Sequence, residues 1–189
     1  MRRVDRRLAR VALSATNNVR IRELTEDDAE TIGAIWASAR AVAYAGIVPD
    51  EIAHRPATAL SQGFGSWFSL PGHVGMIAME ADESLGFVVA GPPDHADDLG
   101  DAEINLIYVD PGAQGRGVGR LLMRHAAERL REAGARTLFL WTLRDNRIGR
   151  TFYDRLGGSV IREVWSEKNR NYLVAYGWQD VDALIQRTR

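Results

Sequence analysis

The sequence predicts an α+β domain: a mixed sheet flanked by helices, with one central strand–helix–strand crossover. Three observations carry this reading. Short apolar runs recur between residues 74 and 109 and again between 159 and 176, the lengths and spacing of strands. Two longer segments, from Thr25 to Ala39 and from Gly117 to Ala133, place their apolar residues at helical spacing. From Glu103 to Leu143 a strand, a helix and a strand follow with short connections, as in a crossover between parallel neighbours. At 189 residues one domain is expected.

Met1 to Asn18 holds five arginines and one aspartate without a sustained apolar pattern. It is set apart as a basic extension, disordered or a frayed helix, and the domain runs from Val19 to Arg189. Val19–Leu24 alternates like a half-buried strand. Thr25, followed by Glu26, Asp27 and Asp28, is an N-cap with acids in the first turn, and its helix carries Ile32, Ile35, Trp36 and Ala39. Tyr44-Ala-Gly-Ile-Val-Pro49 breaks that helix, and a short second one starts at Pro49 or Asp50. Ala57–Gly72 reads as irregular, with Trp67 and Phe68 as buried anchors. Val74–Glu80 and Leu85–Gly91 form a hairpin around Ala81-Asp-Glu-Ser. Glu103–Val109 is a strand stopped by Asp110-Pro111-Gly112. Gly117–Ala133 is an amphipathic helix ended by Gly134. Thr137–Leu143 is a buried strand, and Asn146–Leu156 a helix closed by Gly157-Gly158. Strands Ser159–Trp165 and Tyr172–Tyr176 follow, and Asp180–Arg187 is a last short helix.

Composition removes several function classes. There is no cysteine, so a disulfide framework, a thiolate zinc site and a cysteine nucleophile are excluded. Lys+Arg 24 against Asp+Glu 25 gives a net charge of -1, which offers no global attraction for nucleic acid or anionic membrane. No apolar run approaches the roughly 20 residues that span a bilayer, and no apolar stretch follows the arginines as in a secretory signal. A cytoplasmic location is expected, with neither nucleic acid nor membrane as partner. His54, His73, His95 and His125 show no ligand spacing, so no metal is expected.

The segment richest in chemistry is Val109-Asp-Pro-Gly-Ala-Gln-Gly-Arg-Gly-Val-Gly119. A strand ends, and a loop with Gly115, Gly117 and Gly119 leads directly into an amphipathic helix. Alternating glycines let the backbone approach an anion and turn successive N–H groups toward it; the helix N-terminus adds its unpaired donors. Arg116 and Arg120 supply cationic charge. The arrangement suits a pyrophosphate. It is neither a Walker A loop, which needs Gly-Lys, nor the dinucleotide fingerprint, since Leu122 stands where its last glycine belongs.

Gln114-Gly-Arg-Gly-Val-Gly119 resembles the Gln/Arg-x-x-Gly-x-Gly/Ala signature of the GNAT superfamily of acyl-CoA-dependent N-acyltransferases. The resemblance extends upstream through Glu103–Pro111 and Tyr44–Pro49, and downstream through Leu140–Gly157 with its Asn146 and Phe152-Tyr153. It implies a mostly antiparallel central sheet of about seven strands, whose fourth and fifth strands splay apart to form a notch for CoA. Acetyl-CoA would be the co-substrate. Gln114, Gly115, Arg116, Gly117, Val118, Gly119 and Arg120 would hold its pyrophosphate, the strand Ile107-Tyr108-Val109 its pantetheine arm, and Asn146 the same arm from the next helix. Two departures stand out. Gly149 replaces the usual alanine, leaving room above the Tyr153 ring one turn on; Gly158 stands where phenylalanine commonly follows the helix-ending glycine.

Acyl transfer from a thioester to an amine needs a neutral amine, a polarised carbonyl and a hydrogen for the leaving thiolate. Glu103, a carboxylate on a central strand, is the candidate base, or else a ligand for substrate or water. The resemblance implies that Tyr153 is the donor to the thiolate, where a partly buried packing tyrosine is the alternative. Tyr44 and Trp141 are read as walls of the acceptor site alongside Glu103. The acids of Asp94–Asp101 are candidates for attracting a cationic acceptor. The predicted activity is direct acetyl transfer to a primary amine, on a small molecule or a peptide, in a ternary complex. The alternatives are a non-catalytic acyl-CoA-binding regulatory domain and an enzyme using another acyl-CoA. A homodimer through the C-terminal strands is implied by the resemblance.

Overall fold

The computed structural model describes residues 18–67, 70–93 and 98–189. The N-terminal extension up to Asn17, Phe68, and Asp94, His95 and Asp97 of the acidic loop lie outside the described residues. The strands are β1 (Val19–Glu23), β2 (Val74–Glu80), β3 (Glu83–Gly91), β4 (Ala102–Val109), β5 (Leu138–Leu143), β6 (Ser159–Ser166) and β7 (Asn171–Trp178). The helices are α1 (Ala29–Ala43), α2 (Asp50–Ala53), α3 (Thr58–Trp67), α4 (Val118–Glu132), α5 (Arg147–Arg155) and α6 (Val181–Arg187). They build one seven-stranded sheet in the order β1-β2-β3-β4-β5-β7-β6. Every neighbouring pair is antiparallel except β4 and β5.

Both faces of the sheet are covered. On one, α4 inserts Val118, Leu122, Met123, Ala126, Ala127 and Leu130 against Val88, Ala90, Ile104, Leu138 and Leu140. On the other, Ile32, Ile35 and Trp36 of α1 and Phe64 of α3 cover Ile77, Phe87 and Val89. Neighbouring β3 residues therefore serve opposite cores, as the two-residue period of a strand requires. Each large apolar side chain so buried contributes about 1.5–3 kcal/mol relative to exposure.

Thr25 stands one element earlier than expected: it caps a single 3-10 turn, Glu26–Asp28, that leads into α1, and it shares a capping box with Asp28. Its backbone N–H and hydroxyl both donate to Asp28 Oδ2, at 2.8 and 3.1 Å. Arg22 clamps the same carboxylate through two contacts of 2.7 Å, which holds Asp28 below the usual carboxylate range.

The segment expected to be irregular contains α3. Gly63, Gly65 and three serines or threonines make it a weak helix former, yet Leu60, Phe64 and Trp67 recur at helical spacing and pack into the α1 core. Tertiary burial overrides propensity here. Trp67 itself is half-buried and stacks on Phe64 at 6.1 Å.

The pairing of β4 with β5 covers only Ala102 with Leu138 and Glu103 with Phe139. Asp101 secures that closed end by accepting from the N–H groups of Arg136 and Thr137, at 2.8 and 3.0 Å. Past Glu103 the two strands part and a notch opens between them.

Candidate active site

The notch arises where β4 carries a bulge. Val89 of β3 faces Leu106 and Ala90 faces Ile104, so Asn105 is an extra residue on β4. The bulge resets the alternation: Ile104 lies in the α4 core, while beyond it Ile107 and Val109 pack on that side and Leu106 and Tyr108 on the other. A cleft of about 980 Å³ follows the parted strands. Its walls are β4 from Ile104 to Val109, the loop and first turn of α4, residues 140–142 of β5, α5, and the end of α1.

At one end lies the glycine loop. Asp110 accepts from Gly112 N at 2.8 Å and starts the turn that leads into it. Gly115 and Gly117 have φ of +76° and +86°, conformations that a Cβ disfavours. Among the described residues no backbone carbonyl outside α4 accepts from the N–H groups of Gly115, Arg116 or Gly117, and the first N–H groups of α4 have no intrahelical partner. Gly119 serves a different need: a Cβ there would come within 3.3 Å of Phe152, so its absence lets α5 close on α4. Gln114 directs its side-chain amide to Val109 O at 3.3 Å. Arg116 is tied to Glu80 at 2.6 Å, which bolts the loop to β2 and partly neutralises that cation. Arg120 lies on the first turn and is exposed. Arg147, Arg155 and Arg187 also line the cleft.

Farther along, three tyrosines converge: Tyr44 from the end of α1, Tyr108 from β4 and Tyr153 from α5. Tyr44 neighbours Tyr108 along the cleft and lies under the Arg40 guanidinium, 4.5 Å from its ring centre. Burial pushes the Tyr44 and Tyr153 hydroxyls up, Tyr153 strongly, and Tyr108 adds to both shifts. Both therefore hold their protons at neutral pH. Tyr153 is wedged among Phe152, Tyr176 and Trp178, with ring centres 5.4–6.2 Å away.

Asn146 lines the cleft as a helix cap. Its Oδ1 accepts from Gly149 N at 3.1 Å and its Nδ2 donates to Thr142 Oγ1 at 3.2 Å. This explains Gly149 differently from the sequence: a Cβ there would meet Asn146 Nδ2 at 2.6 Å, so the glycine makes room for the cap, not for the Tyr153 ring. At Gly158 a Cβ would meet the Trp178 ring at 2.8 Å. Trp178, donating to Leu156 O at 3.0 Å, fills the space there.

Of the residues singled out from sequence, Tyr44, Ile107, Tyr108, Val109, Gln114 through Arg120, Trp141, Asn146 and Tyr153 all border this one cleft. Glu103 does not line it. It is buried, 9% exposed, at the last paired position of the notch, one residue before the first lining residue, Ile104. Asp101 of the acidic loop is a strand clamp through its Oδ2, and it stays exposed and ionised. The sequence reading missed Asn105, Arg147, Arg155 and Arg187. The signal for Asn105 was a lone amide inside an apolar strand; Arg187 had none, because α6 brings it in from elsewhere in the chain.

Among the described residues there is no group of three or more histidines or carboxylates placed to hold a metal ion. No helix among them is long and apolar enough to cross a membrane.

The sequence profile of the Acetyltransferase (GNAT) family matches residues 41–158. A mycothiol acetyltransferase of Mycobacteroides abscessus is 39% identical over 66 residues, covering 35% of this chain. This chain spans only 22% of that relative's length. The PaiA N-acetyltransferase of Thermoplasma acidophilum, solved in complex with coenzyme A, superposes with a TM-score of 0.68 at 19% identity, covering 85% of this chain and 99% of its own. The yncA protein of Salmonella typhimurium, solved with its cofactor acetyl-CoA, gives 0.65 at 19%, covering 86% and 94%. At such identities the structures establish the fold.

Proposed function

This chain belongs to the GNAT acetyltransferase family, and from that premise we propose that it transfers an acetyl group from acetyl-CoA to a primary amine by direct attack in a ternary complex. The observation that carries the reading is the continuous cleft between β4 and β5, with a nest of backbone N–H groups at one end and the buried, protonated Tyr153 along it. The residues fit the co-substrate. The positive-φ glycines and the α4 N-terminus suit a diphosphate, and the unpaired edges of β4 and β5 suit a slender arm bearing amides.

Acetyl-CoA supplies an acyl group already activated as a thioester. The residues at 115–120 would hold its diphosphate, β4 from Ile107 to Val109 its arm, and Arg120, Arg147 and Arg187 further negative charge. Tyr153 keeps its hydrogen at working pH and offers it to the sulfur as the carbon–sulfur bond breaks. Because its hydroxyl is a weaker acid than an ordinary tyrosine, its contribution is a hydrogen bond to developing thiolate charge more than early proton release. Glu103 takes the amine's proton, through a water molecule where the acceptor stays on the cleft side of Ile104, or else binds that water or the acceptor. Tyr44 and Trp141 would bound the acceptor.

The test is incubation with acetyl-CoA and a mixed panel of peptides, polyamines, amino acids and aminosugars, with products read by mass spectrometry and acetyl-CoA binding by calorimetry. An acetylated amine supports the reading. Acetyl-CoA binding without any product would favour a silent binding domain or another acyl group.

A further inference from the structure

The two sides of the cleft differ in chemistry. Along the glycine loop, α5 and α6 its charged groups are Arg116, Arg120, Arg147, Arg155 and Arg187. On the face of the sheet that carries α1, the wall is built from Tyr44, Leu106, Tyr108 and Trp141, each half-buried and each bordering the opening. Trp141 shares that face because it alternates along β5 with Leu140, which lies in the α4 core. Among the described residues no aspartate or glutamate lines any part of the cleft. Glu103 stands behind Ile104 on its strand and lines neither wall.

Behind the α1-side wall stands a positive charge. Arg40 lies one helical turn before Tyr44, 7% exposed, with its guanidinium 4.8 Å from the Trp36 ring centre and 4.5 Å from that of Tyr44. It donates to Ile52 O at 2.8 Å, and its Nε has no hydrogen-bond partner. Among the described residues no carboxylate pairs with it, so its charge is not cancelled locally. A substrate that carried a second ammonium group to this wall would lose water against apolar and aromatic surface, with a like charge behind it and no carboxylate to receive it. An aromatic face can hold a cation, but Arg40 already stacks on Tyr44 and meets that demand. An uncharged apolar body gains from the same surface. The buried charge also favours the neutral form of a nearby amine, which is the nucleophile.

Resting on the acetyl transfer proposed above, we propose that the acceptor is a monoamine with an apolar or aromatic body and no second positive charge. The α1-side wall seats that body, and Arg40, acting through Tyr44, disfavours diamines, polyamines and aminoglycosides. Arg40 is a positioning residue that sets selectivity and touches neither reactant. This acceptor is the opposite of the one that the acids of residues 94–101 would attract.

Heptylamine and hexamethylenediamine have equal length and differ only in a terminal methyl against a terminal ammonium group. Each is offered with acetyl-CoA, alongside phenethylamine and spermidine, and kcat/KM is measured for the wild type and for Arg40→Met. The wild type should favour heptylamine over the diamine by about 30-fold or more, as expected for a like-charge approach at low effective dielectric, and phenethylamine over spermidine in the same sense. Arg40→Met removes the charge and keeps an unbranched apolar side chain; it should narrow the first ratio by about threefold or more. Both amines are read on one preparation, so any loss of folded protein cancels in the ratio. Trp141→Leu serves as a second variant: KM for phenethylamine should rise several-fold while calorimetry keeps acetyl-CoA affinity within about twofold of wild type. Equal kcat/KM for the two chains, or preference for the diamine or spermidine, would overturn the proposal. A ratio left unchanged by Arg40→Met would overturn the role given to Arg40, and an unchanged KM in Trp141→Leu the role given to the wall. Acetyl-CoA binding with neither monoamine acetylated would overturn the proposal and leave the acetyl-transfer reading standing. A wild-type protein that binds no acetyl-CoA would instead refute that reading itself.

Discussion

Burial decides what Tyr153 can do. Its hydroxyl is pushed well above the ordinary tyrosine value of about 10, so the neutral form is the one present across the neutral and mildly alkaline range. Tyr153→Phe leaves the aromatic packing with Phe152, Tyr176 and Trp178 in place and removes only the O–H. We expect kcat to fall about 100-fold while calorimetry shows acetyl-CoA affinity nearly unchanged; equal kcat, with chemistry rate-limiting, would remove Tyr153 from the mechanism. The same burial predicts that the pH profile of kcat shows no loss from Tyr153 ionisation up to about pH 10. Asp28 illustrates the opposite sign. Its carboxyl is held down by Arg22, so its stabilisation is complete above the unfolded value of about 3.9 and is lost as pH falls through the lower, folded value. Asp28→Asn should cost about 1 kcal/mol at pH 7, as loss of a capping-box side chain does, and the gap between the thermal melts of mutant and wild type should narrow as pH falls below the unfolded value of about 3.9. A gap that stays constant as the pH is lowered through the acid range would contradict the account.

At the level of elements, the turn and the helix cap set the cleft. Gly117 sits at φ +86° in the N-cap position of α4, where a side chain costs about 1–2 kcal/mol. Gly117→Ala should therefore weaken acetyl-CoA binding about tenfold or more by calorimetry, since the N–H nest must distort to relieve the strain. Gly149→Ala tests the α5 cap. Helix propensity alone favours alanine by up to about 1 kcal/mol, but the added Cβ would collide with the Asn146 amide at 2.6 Å. We expect a lower melting temperature; a higher one would show that propensity outweighs the cap. The glycine loop, α4 and the strand–helix–strand crossover were legible in sequence because local rules dictate them: positive φ, a 3.6-residue period, a short connection. The α3 helix was not, since its glycines and serines argue for a loop and only its packing on α1 makes it helical. The position of Glu103 behind Ile104 was illegible for a related reason. A strand's period shows which residues alternate, and the bulge at Asn105, which shifts that alternation, leaves no mark on the pattern until the pairing with β3 is seen.

The whole molecule is a sheet pried open at its centre and closed at one end of the opening by Asp101. Among the described residues nothing covers the β6 edge of the sheet. β6 exposes Val160, Ile161, Val164 and Trp165, with Tyr172 of β7 beside them, the kind of apolar edge that soluble proteins usually cover. The account predicts self-association through this edge: light scattering should give twice the chain mass, and Trp165→Glu should return it to a monomer. A monomeric wild type at high concentration would contradict that expectation without touching the cleft. The central claim is that the opening between β4 and β5 is an acetyl-transfer site, and the most direct measurement is mass spectrometry of an amine panel incubated with acetyl-CoA and either wild-type protein or Tyr153→Phe. The account predicts one class of N-acetylated product from the wild type, reduced about 100-fold in the variant. No acetyl-CoA binding at all, or a product formed equally well by both proteins, would contradict it.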